Sequence, residues 1–167
     1  MKKRILTLSL AAALLLTLLC ACGSNENADV TIDLNALWTK ISALSDEDGA
    51  LSDMPFIEVT DDDLANFYGI DAADLDGYLA RVPMMNVQAT EFFIAKVKDG
   101  KMDAVKAALE ARQADLDTQW SDYLPEQYNL VKNYKLTVSG NYIFFAVSKF
   151  AGQAEGLFND AIADAKA

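Results

Sequence analysis

Apolar and polar positions change their period several times along the chain, and each change marks an element. From Asp33 onward, Leu34, Leu37, Ile41 and Leu44 follow the i, i+3, i+7 spacing of an amphipathic helix. Asp33 is placed to cap its start, and its end is expected near Asp46 to Gly49. "MPFIEV", residues 54–59, reads as a short strand or an extended connection. "TDDDLANFYGI" reads as a short helix, with Thr60 and Asp63 spaced as a capping box, carboxylates gathered at its positive end and Gly69 closing it.

Two segments then carry the β period. "YLARVPMMN" (78–86) alternates in part, and its Pro83 points to an edge strand or a bulge. "ATEFFIAKVKDG" (89–100) alternates better, through Phe93, Ala95 and Val97. A long helix is predicted over residues 101–121, because Met102, Val105, Leu109, Leu116 and Trp120 keep to one face. Pro125 opens a short helix in "LPEQYNLVKN", and "YKLTVSGNYIFFAVSKF" forms a hairpin around Ser139-Gly140-Asn141. A last helix runs from Gly152 to about Ala165.

Segments 91–109 and 143–162 echo each other, each passing from an aromatic strand through a glycine turn into a helix. The expected fold is therefore α+β. It has a single antiparallel sheet of about four strands built from two ββα-like units, with helices packed on one face and an N-terminal helix in front. The pairs Phe92-Phe93 and Phe144-Phe145 point one ring to each side of such a sheet. The second side then needs a cover or an oligomer contact.

Upstream of the helical and strand periods the pattern is of another kind. Lys2, Lys3 and Arg4 precede an apolar run from Ile5 to Leu19, which is the layout of an export signal. As a helix this run would be about 22 Å long, short of the roughly 30 Å hydrocarbon core. Leu19-Cys20-Ala21-Cys22-Gly23-Ser24 resembles a bacterial lipobox. The resemblance implies cleavage between Ala21 and Cys22 and a diacylglycerol on the Cys22 thiol. Residues 1–21 would be the signal, residues 22–31 the lipidated cysteine and a polar tether, and residues 32–167 one domain. The expected location is the outer face of the cytoplasmic membrane, with attachment to it through the lipid alone.

Charge and composition narrow the partners. The chain carries 14 basic and 25 acidic residues, a net charge of −11, which becomes −14 once Lys2, Lys3 and Arg4 leave with the signal. So acidic a surface repels nucleic acid and anionic lipid headgroups, leaving an unknown protein partner or a small ligand. Cys20 and Cys22 are the sole cysteines, and there is no histidine. A C-x-C metal pair would lack further ligands, so the expected cofactors are none beyond the covalent lipid.

The same absences leave little for catalysis. Ser-His-Asp and Cys-His machinery is excluded, and neither a G-x-S-x-G elbow nor a P-loop is present. No catalytic residue is assigned. Asp46-Glu47-Asp48-Gly49 and Asp61-Asp62-Asp63 are acidic enough for calcium, but neither matches the EF-hand loop, and no metal ligand is assigned.

Arg112 breaks the apolar stripe of the long helix between Leu109 and Leu116. It is either a structural arginine that covers apolar surface and meets water or an acid, or the recognition group of a pocket for an anionic ligand. In the pocket reading Gln113, Tyr123 and Gln127 would stand near it.

Taken together, "DLNALWTKI", "FYGID", "EFFIAKVKD", "LEARQADL", "YLPEQYNLVKN" and "GNYIFFAVS" resemble Gram-positive bacterial lipoproteins of the DUF4358 type, a domain of unknown function. The resemblance covers most of residues 31–160 and places Arg112, Tyr123, Pro125 and Gln127 among the characteristic positions. It implies no activity. The expected function is a membrane-anchored, non-catalytic binding or interaction module. The alternative is a small-molecule capture protein or small hydrolase with a pocket around Arg112.

Overall fold

Residues 30–167 are described in a computed structural model, and the lipobox-like segment with its expected cleavage point lies outside them. The first helix, α1 (Leu34–Ser42), starts where expected, with the Asp33 carboxylate accepting from the backbone N–H groups of Asn35 (2.9 Å) and Ala36 (3.0 Å). It ends earlier than its apolar spacing suggests. Ala43 caps it, and the Asp46 to Gly49 stretch forms a two-residue ribbon, β1 (Ser45–Asp46) with β2 (Gly49–Ala50). Gly49, at φ 125°, supplies a backbone conformation that other residues rarely adopt.

A five-stranded antiparallel sheet forms the centre, in the order β3-β4-β5-β7-β6. Its strands are β3 (Phe56–Glu58), β4 (Leu75–Pro83), β5 (Glu91–Val97), β6 (Lys135–Ser139) and β7 (Tyr142–Val147). The expected count of four strands is thus corrected. "MPFIEV" supplies the fifth, and its pairing with β4 moves Pro83 off the edge to the last position of an internal strand, opposite Phe56. There the missing N–H costs little, because the ladder ends with it.

The two hairpin units meet through the β5–β7 pair, so the ββα echo is real in connectivity. Their helices nonetheless go to opposite faces, which corrects the one-sided arrangement. One face is covered by α2 (Asp61–Tyr68), α3 (Met102–Trp120) and α4 (Pro125–Lys132), around Phe93, Ala95, Ile143 and Phe145. The other is covered by α1 and α5 (Ala151–Lys166), around Phe92, Ile94, Phe144 and Ala146. The physical reason lies in the strands themselves: apart from half-buried Lys96, every residue of β5 and β7 is buried. Such strands need cover on both sides.

The central pair has two distinct ends. At one, Tyr142 stands opposite Lys96, and the chain enters the fold there: Ile32 N–H donates to Tyr142 Oη (3.0 Å) and Lys96 Nζ donates to Thr31 Oγ1 (3.3 Å). Val30 is buried, so the last residues of the expected tether pack with the domain. At the other end Glu91 stands opposite Val147. Five strand steps at about 3.4 Å put these ends roughly 17 Å apart.

Candidate functional site

Arg112 sits on the third turn of α3, and its face of that helix looks onto β5. Strand alternation places Glu91 on the same side as Phe93 and Ala95, so an acid lies under the arginine. Arg112 Nε donates to Glu91 Oε1 (3.0 Å) and Nη2 donates to Oε2 (2.6 Å). Two donors on two carboxylate oxygens are the fork geometry of an ionised pair. The Glu91 side chain is 1% exposed and that of Arg112 18%.

The aromatic floor of the pair is Tyr68 at the end of α2, with the guanidinium carbon 5.7 Å from its ring centre. Burial pushes the Glu91 carboxyl above the usual carboxylate range, and Arg112 opposes this. Burial also works against the charge of Arg112, but the bonds and charge of Glu91 outweigh it and hold the guanidinium above its ordinary value. Tyr68 is pushed well above a normal phenol, first by burial and then by Glu91. Tyr68 and Arg112 are thereby moved away from proton transfer near neutrality, while the Glu91 carboxyl is moved upward and is tied to Arg112 through both of its oxygens.

The three residues grouped with Arg112 by sequence have different neighbours. Gln113 is half-buried beside Arg112, while Tyr123 is half-exposed with its ring 5.7 Å from that of Trp120. Gln127 goes elsewhere: its Oε1 accepts from the Ala89 N–H (2.9 Å), tying α4 to the segment that leads into β5.

There Gln127 lines a cleft of about 350 Å³ at the Glu91–Val147 end of the central strands. The floor is formed by Thr90 and Ser148, both almost wholly buried, just beyond the paired residues. One wall comes from the β1–β2 ribbon and the turn after it, the other from Gln88 and α4. Lys149 fastens the ribbon to the sheet through Asp46 (2.7 Å) and Asp48 (3.9 Å). Its ammonium holds the Asp46 carboxyl below its usual value. The acidic cluster at Asp46 to Gly49 is thus engaged with a cation of the chain itself.

Glu91 was missed by sequence reasoning, although a signal existed: it occupies the core-facing phase of a strand whose other core-facing positions are apolar. Gln88, Thr90, Ser148 and Lys149 carried no such signal, since only the β5–β7 register brings them together. Among the described residues no three metal-ligating side chains gather, and no helix is long and apolar enough to cross a membrane.

A family model described as a domain of unknown function (DUF4358) matches residues 50–148. The matched span holds all five strands of the large sheet, the Glu91–Arg112 pair and Gln127, and omits α1 and α5. No curated protein and no solved structure matches the chain.

Proposed function

From the premise that the chain belongs to the DUF4358 family, whose description states no activity, we propose that it is a lipid-anchored, non-catalytic binding module on the outer face of the cytoplasmic membrane. The observation that carries this reading is the closed Glu91–Arg112 pair. A guanidinium forked onto a buried carboxylate has its best donors occupied, and both groups would have to be separated before either could meet a ligand. The alternative, a hydrolase or capture site built on Arg112, would have to work with the guanidinium N–H groups left over from this fork.

The lipobox supports the anchor. Two acyl chains bury enough methylenes, at about 0.8 kcal/mol each, to hold a protein at a bilayer without a spanning helix. Fractionation of cells making the full chain tests this. The native protein is expected in the membrane fraction, with Cys22→Ala released or retained as an uncleaved precursor. Normal cleavage of Cys22→Ala with full membrane retention would refute the anchor. Turnover of any bound ligand, seen by mass spectrometry, would refute the non-catalytic reading.

A further inference from the structure

The cleft beside Gln127 has donors and an acceptor that the protein leaves without partners of its own. The Ala89 N–H can only donate, so the Gln127 atom facing it is Oε1, and both Nε2 hydrogens remain to be given. Gln88 Oε1 is buried and has no hydrogen-bond partner. Ser148 Oγ accepts from the Phe150 N–H (3.1 Å), which leaves its own hydrogen free to donate. A buried amide oxygen without a partner is costly to hold, and a cleft wall is where a ligand can satisfy it.

The charged side chains at this site already have partners within the protein. Lys149 is held by Asp46 and Asp48, and Asp53 accepts from the Ala50 N–H (3.1 Å). Apart from buried Thr90 in the floor, the remaining lining is apolar, with Leu51, Met54, Leu130 and Phe150 among it. A volume of about 350 Å³ lies at the small end of ligand pockets. The arrangement therefore suits an uncharged group that presents an acceptor and a donor side by side and has an apolar flank.

We propose that this cleft binds a neutral secondary amide, its carbonyl oxygen taking a hydrogen bond from Gln127 Nε2 and its N–H giving one to Gln88 Oε1. Such an amide is carried both by N-acylated sugars and by peptides. The inference rests on the binding-module reading and names the ligand chemistry of that module.

The test is calorimetric titration of the full chain in detergent micelles with N-acetylglucosamine, with doubly blocked dialanine, and with glucose and free alanine as controls. One or both amide probes are expected to bind, and which one does identifies the source. Gln127→Glu keeps the oxygen that Ala89 needs and replaces the donor with an acceptor, so it is expected to weaken binding at least tenfold. An unchanged urea midpoint for this variant would show that the loss is local. Glucose binding as well as N-acetylglucosamine would overturn the proposal, as would an unaffected Gln127→Glu. So would silence from both amide probes at about 10 mM, ten times a dissociation constant of about 1 mM. Binding of a charged ligand in a wider panel would overturn the amide assignment alone and leave the binding module standing.

Discussion

Replacing Arg112 by alanine leaves Glu91 with 1% of its side chain exposed and without its cation. Removing one partner of a buried pair costs about 3 to 5 kcal/mol, since the orphaned charge has neither water nor counter-ion. The carboxyl can escape part of this by taking up a proton, which gives the effect a pH signature. In the native protein burial already holds the Glu91 pKa above 4.5. Loss of Arg112 removes both influences that lower it, so it rises further. A group whose folded pKa is raised contributes stability that is present below its unfolded value and is lost as pH rises through the folded value. The deficit of Arg112→Ala should therefore be small near pH 4.5 and grow toward neutrality.

Urea unfolding of residues 24–167, followed by the fluorescence of Trp38 and buried Trp120, measures this directly. With a slope of about 2 kcal/mol/M, a loss of about 3 kcal/mol moves the midpoint down by roughly 1.5 M at pH 7.5. At pH 5 the displacement should be visibly smaller. Equal displacements at the two pH values, or a midpoint that moves less than about 0.3 M with the slope preserved, would refute the buried-pair reasoning.

Two further predictions concern the fold. Phe158→Ala on α5 should cost about 3 to 5 kcal/mol, because its fully buried ring stacks on Phe144 at 5.3 Å; a loss below about 1 kcal/mol in the same melt would mean that this face is not a packed core. Leu124 caps α4 with φ at 44°, the sole positive φ at a non-glycine position among the described residues. Leu124→Gly should raise the thermal midpoint by a few degrees, since a left-handed leucine costs on the order of 1 kcal/mol, and a lowered midpoint would show that the partly exposed side chain matters more than its backbone.

Much of the fold was legible where one residue decides a local event. Asp33 capping α1, Gly69 closing α2, the stripe of α3 and the Gly140-Asn141 turn between β6 and β7 all follow from short-range chemistry. What escaped depends on partners distant in sequence. Strand β3 has three residues, two of them exposed, and exists because β4 offers it an edge. The early end of α1 reflects a ribbon too short to show a period. Helix periodicity tells which residues turn inward and is silent on which side of a sheet the helix lies, so the two-faced arrangement had to come from Phe92 and Phe144 needing cover. At the site, Arg112 was conspicuous as a polar residue on an apolar stripe, and its partner could be found by the alternation of β5. The cleft could not, because its polar residues become neighbours only through the register that sets Glu91 against Val147.

The chain enters at one end of the central strand pair, and the cleft opens at the other. A protein held to a bilayer by its N-terminus and to a fixed structure by its ligand would carry tension between these two points. That tension runs parallel to β5 and β7, across whose shared border six residue pairs are aligned. Antiparallel hydrogen bonds stand perpendicular to their strands, so the load is met in shear by the whole ladder at once and not by opening one bond after another. With the proposed anchor and ligand in place, the geometry that separates them would also make the domain a stiff link between them.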